Sequence, residues 1–210
     1  MKARKSSKQG SRKRDLLEFE GPLFTKGISR VGGVDEAGRG CLAGPVFAGA
    51  VILPPDFFHP EIDDSKKLSP KMREKLFKEI CRVAIAWAVA SVEAGEIDRI
   101  NIHRASLKAM QLAVAGLKPA PEYLLVDGRF PIPQRLPQKA IIRGDQRSQT
   151  VAAASILAKV SRDRWIIEEG KKYPHFNFLD HKGYGTSEHL KEIRRHGLTP
   201  LHRKTFQVIL

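Results

Sequence analysis

Residues 28–40 read ISRVGGVDEAGRG, and this stretch decides how the chain folds. The apolar run over residues 28–34 predicts a buried strand, and Asp35 and Glu36 follow directly at its end. A turn with one cation between two glycines, Gly38-Arg39-Gly40, comes next. Two adjacent carboxylates beside a buried strand cost free energy unless a cation compensates them. The stretch therefore predicts a polar site on a rigid edge of a sheet.

The chain is strongly basic, with 37 Lys and Arg against 23 Asp and Glu among 210 residues, a net charge of +14. Hydrophobic residues make up 41%, enough for a buried core, which excludes a disordered protein. The charge favours a polyanionic partner, either nucleic acid or an anionic membrane. No apolar run approaches the roughly 18 to 20 residues of a membrane span, and no signal peptide is evident. The isolated Cys41 and Cys81 suit a reducing compartment. Composition alone leaves both partners open and predicts the reducing cytoplasm. A monomer that binds nucleic acid, and no membrane, is expected from the resemblance that the motifs below carry.

The positive charge is concentrated at the N-terminus. Residues 1–14 carry seven Lys or Arg and no acid, with Ser, Gln and Gly between them. This pattern predicts that residues 1–27 form a disordered basic arm and linker. Two interpretations remain open, a solubilising tail and a nonspecific phosphate anchor.

Strands and helices alternate along the rest of the chain. Strands are predicted at residues 28–34, 44–53, 83–92, 123–126 and 140–142, and helices at 69–82, 101–117, 150–170 and 186–196. The second strand suits a hairpin partner of the first. The order therefore predicts an α/β fold with a partly antiparallel sheet.

Two further acids follow predicted strands: Asp127 after residues 123–126, and Asp145 after residues 140–142. Strand ends at one edge of an α/β sheet lie close together, so these acids should meet Asp35 and Glu36. One Asp at a strand end is more often a cap or a turn former, but four converging carboxylates would repel one another. Oxygen-only ligands select Mg²⁺ or Mn²⁺ over zinc. Two such ions, roughly 3.5 to 4 Å apart, can activate water and stabilise the leaving oxygen of a phosphodiester. The pattern is typical of a nuclease.

The motifs around these acids resemble the ribonuclease HII family. The matching segments are GVDEAGRG at 33–40, LAGPV at 42–46, DSKKLS at 64–69, LVDG at 125–128, GD at 144–145, AAASILAKVSRD at 152–163, HKGYGT at 181–186 and HRKTF at 202–206. The resemblance covers about residues 28–206. Cys41 departs from it, because the family often has proline there. The related ribonuclease HIII family would carry a lysine in place of Arg39 and a folded N-terminal domain.

The resemblance implies a ribonuclease H-like fold, a mixed five-stranded sheet flanked by helices with a small helical C-terminal part. Residues 28–170 would form the catalytic core, and residues 171–210 would complete the substrate site. Asp35, Glu36, Asp127 and Asp145 would be catalytic and hold the metal ions. The implied activity is hydrolysis of RNA in RNA–DNA hybrids and incision 5′ of ribonucleotides embedded in duplex DNA, leaving 3′-hydroxyl and 5′-phosphate ends. A noncatalytic hybrid-binding protein is the alternative, although a binder has no use for acids facing phosphate.

The resemblance also implies substrate contacts. The Gly38-Arg39-Gly40 turn would approach the ribose 2′-hydroxyl, which distinguishes RNA from DNA. The alternative is a plain glycine turn with a solvated arginine. Tyr184 would pack on the deoxyribose beside the ribonucleotide, unless it is an ordinary half-buried tyrosine. Lys182 and Arg143 are candidates for phosphate contacts, and a solvated surface position explains each equally well.

Other residues in the matched segments have structural explanations. Asp64 is accounted for by a capped turn before the helix at 69–82. Lys159 and Asp163 lie four apart on one predicted helix, so an ion pair is sufficient. His181 and His202 are expected to support the site and not to catalyse.

Overall fold

The computed structural model of this chain describes residues 16–206. Its five-stranded sheet has the order β3-β2-β1-β4-β5, formed by β1 Val31–Ala37, β2 Val46–Ile52, β3 Ala86–Val92, β4 Tyr123–Asp127 and β5 Gln138–Ile141. Strand β2 pairs antiparallel with β1 and β3, whereas β4 runs parallel to β1 and β5 parallel to β4. The predicted mixed sheet with a hairpin at its start is confirmed.

Helices cover both faces of this sheet. They are α1 Glu20–Thr25, α2 Pro70–Val83, α3 Ala94–Ile100, α4 Ile102–Ala115, α5 Gln149–Gly170, α6 Phe178–His181 and α7 Ser187–His196, with 3₁₀ turns at Ser65–Lys67 and Gly144–Gln146. Apolar residues of α4 bury one face of the sheet, and those of α5 and α2 bury the other. Within residues 16–206, no helix combines the length and the apolar character needed to cross a bilayer.

Several elements differ from the predicted ones. Strand β1 begins and ends three residues later than predicted, because its pairing with β2 continues to Ala37 opposite Phe47. Strand β3 begins at Ala86, since α2 continues to Val83. Helix α3 was not predicted. It ends at Ile100, because the following Asn101 has a positive φ of 68°, and the side chain of Asn101 caps α4.

The prediction that residues 1–27 form a disordered arm and linker is wrong for the described part of that range. Leu23 and Phe24 of helix α1, together with Phe19 just before it, pack against a core that includes Leu125. The buried Glu20 of α1 accepts hydrogen bonds at the start of α5, 2.6 Å from Ser148 Oγ and 3.0 Å from the N–H of Thr150. These contacts hold α1 on the core. Residues 1–15 lie outside the described residues, and the boundary predicted at residue 170 stays a prediction.

Helix α5 lies unusually close to the sheet at two glycines. A Cβ on Gly33 of β1 would lie 2.4 Å from the carbonyl carbon of Thr150. A Cβ on Gly49 of β2 would lie 2.4 Å from the carbonyl oxygen of Ala154 and 2.8 Å from the nitrogen of Ala158. Real Cβ atoms do not tolerate such distances from backbone atoms. Glycine at both positions, facing small residues on α5, therefore fixes the spacing between helix and sheet.

Gly49→Ala is expected to destabilise the protein by roughly 1–3 kcal/mol or more, because the added methyl group must displace helix backbone. Urea unfolding measures the change. Gly40→Ala is the matched control, since nothing lies within 4 Å of a Cβ at Gly40. Its unfolding free energy should stay within about 0.5 kcal/mol of the parent value. Equal losses in the two variants would contradict the close-approach argument.

Candidate active site

Three of the predicted acids lie together at one edge of the sheet. Asp35 and Glu36 belong to β1, and Asp127 is the last residue of β4. The parallel register sets Val34 opposite Val126, so Asp35 and Asp127 follow side by side. One carboxylate oxygen from each of the three acids lies within 4.8 Å of the others.

Asp145 adjoins this group from the 3₁₀ turn before α5. It is buried, with 5% of its surface exposed. The preceding Gly144 donates its N–H to Asp127 Oδ1 at 2.6 Å, which fixes the turn against the end of β4. Among the described residues, the mutually close group contains only the first three acids. The charge of Asp145 nevertheless contributes to raising the pKa of Asp35, so the fourth predicted acid borders the same site.

Asp35, Glu36 and Asp145 bind protons more tightly than free carboxyls do. Burial raises the pKa of Asp35 well above its ordinary value, and the charges of Asp127 and Glu36 add to the effect. Burial, followed by the charges of Asp127 and Asp64, raises the pKa of Asp145 to about 6. Burial also raises the pKa of Glu36, although the neighbouring Arg39 opposes it. The cations of the protein therefore compensate the negative charge of this cluster only poorly.

The donor set fits a hard divalent cation. Every ligand atom offered by Asp35, Glu36 and Asp127 is a carboxylate oxygen, which suits Mg²⁺ or Mn²⁺. Asp127 uses Oδ1 to accept from Gly144, and Asp35 uses Oδ1 to accept from the N–H of Glu36 at 2.6 Å. These bonds orient the two side chains. A divalent cation would relieve the repulsion that raises the pKa values.

The Gly38-Arg39-Gly40 turn follows β1 directly, so it lies beside the acids. Gly38 has a φ of +88°, and a Cβ there would lie 3.0 Å from the carbonyl oxygen of Pro45. The fold therefore requires this glycine. No atom lies within 4 Å of a Cβ at Gly40. The exposed Arg39 has Nη1 3.4 Å from Glu36 Oε1, which is a weak ion pair with room for another anion.

Tyr184 adjoins the same turn. It forms an isolated antiparallel bridge with Cys41, one residue after the turn, and its side chain is 37% exposed. Lys159 Nζ and Arg162 Cζ lie 5.1 and 5.2 Å from its ring centroid. Burial, with a smaller contribution from Cys41, raises the pKa of Tyr184 to about 12. The phenol is therefore neutral, and the residue is partly exposed next to the turn.

The two candidate phosphate contacts occupy different places. Arg143 is exposed, has a φ of +57°, and immediately precedes the turn that carries Asp145. Lys182 has a φ of +50° and donates to the carbonyl oxygen of Leu179. Burial lowers the pKa of Lys182, partly offset by Asp163. Arg143 therefore lies next to the turn that carries Asp145, whereas Lys182 lies in the loop that carries Tyr184.

Two side chains that support the acids were not assigned this role from the sequence. Asp64 caps its turn as predicted, accepting from the N–H of Lys66 at 2.9 Å, but its charge also raises the pKa of Asp145. Ser155 of α5 hydrogen-bonds to the carboxyl group of Asp35, and this bond opposes the rise in the pKa of Asp35. Both residues lie in matched segments, but the position of Ser155 among alanines did not indicate a contact with Asp35.

Buried histidines hold the main chain of Tyr184. His202 Nδ1 accepts from the N–H of Thr199 at 2.9 Å, so its hydrogen lies on Nε2, 3.0 Å from His189 Nε2. His189 therefore accepts there and donates from Nδ1 to the carbonyl oxygen of Tyr184 at 2.9 Å. His181 stacks on His189 with centroids 4.0 Å apart. Burial lowers the pKa of both His189 and His202 to about 4, which keeps both rings neutral.

The predicted ion pair on α5 is also present. Lys159 Nζ lies 2.8 Å from Asp163 Oδ1. Because Lys159 also lies over the ring of Tyr184, the pair contributes to the surroundings of that ring as well as to the helix.

The sheet order and the carboxylate cluster at its edge define a protein with the ribonuclease H-like fold. The sequence profile described as "Ribonuclease HII" matches residues 32–209. The chain belongs to the ribonuclease HII family, which is a family of endoribonucleases.

Individual relatives agree with the profile. The chain is 53% identical over 192 residues to the ribonuclease HII of Geobacillus thermodenitrificans, covering 91% of this chain and 74% of that protein. It is 49% identical over 191 residues to that of Syntrophotalea carbinolica, covering 91% of each. Among solved structures, ribonuclease H2 from Pyrococcus horikoshii OT3 has a TM-score of 0.72 at 27% identity, covering 85% of this chain and 94% of that one. The ribonuclease HII in a PCNA complex from Archaeoglobus fulgidus has a TM-score of 0.71 at 26% identity, covering 86% and 96%.

Asp145→Asn is expected to stabilise the metal-free protein at pH 8 but not at pH 4. The folded pKa of about 6 exceeds the ordinary value of 3.8, so the stability linked to this proton is present below about pH 4. That stability is lost as the pH rises through about 6. Removing the charge should raise the unfolding free energy of the metal-free protein by roughly 1–3 kcal/mol at pH 8.

Urea unfolding in the presence of a chelator at both pH values measures this change. Asp56→Asn, at an exposed acid outside the cluster, is the control and should show no such gain. A gain from Asp145→Asn that is equal at pH 4 and pH 8 would contradict the electrostatic explanation.

Proposed function

We propose that this chain hydrolyses RNA in RNA–DNA hybrids and incises 5′ of ribonucleotides embedded in duplex DNA, leaving 3′-hydroxyl and 5′-phosphate ends. Membership of the ribonuclease HII family supports the endoribonuclease class. The observation that carries the proposal is the group of three carboxylates within 4.8 Å of one another, two of which, Asp35 and Glu36, lie just before the Gly38-Arg39-Gly40 turn in the chain. A site for metal ions and a site for the sugar would then be adjacent.

The proposed cofactors are Mg²⁺ or Mn²⁺, two ions during catalysis, held by Asp35, Glu36, Asp127 and Asp145. When bound, such ions activate a water molecule and stabilise the leaving oxygen of a phosphodiester. The protein orients the carboxylates: Ser155 hydrogen-bonds to Asp35, and the turn before α5 presents an N–H to Asp127. Because burial and neighbouring charges raise the pKa values of Asp35 and Asp145, bound cations would also keep these two acids ionised at neutral pH.

The proposed substrate contacts surround the acids. The Gly38-Arg39-Gly40 turn would approach the ribose 2′-hydroxyl, and the open space at Gly40 leaves room for a sugar. Tyr184 would pack its ring on the neighbouring deoxyribose. The bridge between Tyr184 and Cys41 supports this role, because it holds the tyrosine beside the turn. Arg143 would contact phosphate near the acids, and Lys182 would contact it near the tyrosine.

The wider setting is also proposed. The protein would act as a monomer in the cytoplasm, with the basic residues 1–14 as a nonspecific phosphate anchor. A noncatalytic hybrid-binding protein on the same fold is the alternative. The clustered acids favour the enzyme, because they would repel phosphate unless cations occupied the site.

Asp35→Asn should abolish incision of a DNA duplex that contains one ribonucleotide, since it removes one of the charges proposed to hold the cations. The loss should exceed roughly 100-fold, while binding of the duplex is retained. Gel analysis of the products, with 3′ and 5′ ends identified, tests both the activity and the end chemistry. Undiminished cleavage by this variant would eliminate the proposed metal role of Asp35. Binding without any cleavage by the unaltered protein would favour the alternative.

Tyr184→Ala should reduce incision at a single embedded ribonucleotide more than cleavage of a long hybrid, because only the first substrate offers a deoxyribose at the junction. Comparing kcat/KM for the two substrates, in Mg²⁺ and in Mn²⁺, measures the difference. Phe130→Ala is a control at another exposed aromatic ring. Equal losses on both substrates would remove the junction-reading role of Tyr184.

A further inference from the structure

Arg203 is a buried cation whose described side-chain hydrogen bonds all go to main-chain oxygens, while its guanidinium carbon lies 5.0 Å from the ring centroid of Phe206. It is 1% exposed. Its guanidinium donates from Nη2 to the carbonyl oxygen of Gly38 at 2.7 Å and from Nη1 to that of Arg39 at 2.9 Å. Nε donates to the carbonyl oxygen of Gly44 at 3.0 Å. Burial lowers the pKa of Arg203 to about 10, so the group remains charged at neutral pH.

These bonds determine where the neighbouring N–H groups point. In a trans peptide, the C=O and the following N–H lie on opposite sides of the chain. The carbonyl groups of Gly38 and Arg39 face Arg203, so the N–H groups of Arg39 and Gly40 face away from it. Both residues are exposed, and within residues 16–206 neither N–H donates a hydrogen bond. Two successive N–H groups that point outward and lack an acceptor can together bind an oxyanion.

A second buried arginine adds positive charge behind the turn. Arg162 is fully buried, and its Nη2 donates to the carbonyl oxygen of Ala43 at 3.3 Å. Its Nε has no hydrogen-bond partner among the described residues and lies 3.1 Å from where a Cβ on Gly38 would be. Asp163 lies 3.4 Å from Arg162 Nη1 but also binds Lys159, so it is shared between two cations. The turn therefore has cations behind it and free N–H groups in front.

The segment that carries Arg203 also positions Tyr184. Arg203 donates its own N–H to the carbonyl oxygen of Leu42 at 2.8 Å, and the preceding His202 connects through His189 to the carbonyl oxygen of Tyr184. One short segment therefore fixes both elements that the proposed function assigns to substrate recognition.

We infer that Arg203 is a positioning residue that aims the N–H groups of Arg39 and Gly40 at an oxygen of the nucleic-acid backbone, a phosphate or ribose oxygen beside the cleaved bond. This inference rests on the proposed function. Arg203 does not touch the substrate. It acts by holding two carbonyl groups inward with a planar fork of donors, a geometry that a lysine ammonium group does not reproduce.

Arg203→Lys tests this role because it retains the charge and loses the fork. Steady-state kinetics on a duplex with one embedded ribonucleotide should show KM raised at least about tenfold, with kcat changed less. Ile193→Ala is the matched control, because it opens the apolar cluster of the C-terminal segment without touching a polar group. It should lower the unfolding free energy and leave KM unchanged.

A second measurement begins with a protein that keeps Arg203, so its first result does not depend on how Arg203→Lys folds. In Asp35→Asn protein, which should bind without cleaving, NMR amide resonances of Arg39 and Gly40 should shift when the same duplex is added. Arg203→Lys in that background should lose the shifts. Unmoved resonances in the Asp35→Asn protein, or the same KM for Arg203→Lys and Ile193→Ala, would overturn the inference. Failure of the unaltered protein to incise the duplex would instead contradict the proposed function.

Discussion

The close approach of α5 to β1 and β2 is the constraint on which the site depends. Gly33 and Gly49 allow helix backbone to lie where a side chain would otherwise be. At that spacing Ser155 reaches Asp35, the turn before α5 sets Asp145 beside the other acids, and Arg162 lies behind the glycine turn. A helix held farther from the sheet would separate these groups, because all of them project from α5 or from the residues just before it. Packing therefore sets the electrostatics of the site.

Charges of opposite sign are segregated around the end of β1. Carboxylates cluster at the sheet edge, where burial and mutual repulsion raise the pKa values of Asp35 and Asp145. Arg162 and Arg203 are buried behind the adjacent turn, bound largely to carbonyl oxygens. Neither group is neutralised by the other, so each retains affinity for an external ion of opposite sign. A site that binds cations and a phosphodiester together needs acids and arginines that are not paired with each other. Because these charges stay uncompensated when no ion is bound, they lower the stability of the metal-free protein.

The sequence predicted the convergence of Asp35, Asp127 and Asp145 because parallel neighbouring strands bring their ends to one edge whatever the loops between them do. It did not predict that β1 continues through both acids, since pairing with β2 outweighs the low strand propensity of charged residues. It also missed α1, whose apolar residues adjoin a strongly basic stretch and whose Glu20 caps a helix 130 residues away. Bonds from side chains to distant carbonyl groups, such as that from Arg203 to Gly38 across 165 residues, leave no periodic pattern in a sequence.

The two glycines of the turn show how structural and ligand constraints combine in one motif. Gly38 has a positive φ and is crowded by Pro45 and Arg162, so the fold itself excludes a side chain there. At Gly40 the backbone is ordinary and the surrounding space is open, so the folded chain would accept a methyl group. If Gly40→Ala retains its stability but loses activity, the group that excludes the methyl must lie outside the chain. The open space beside Gly40 would then be the volume that the nucleic acid occupies.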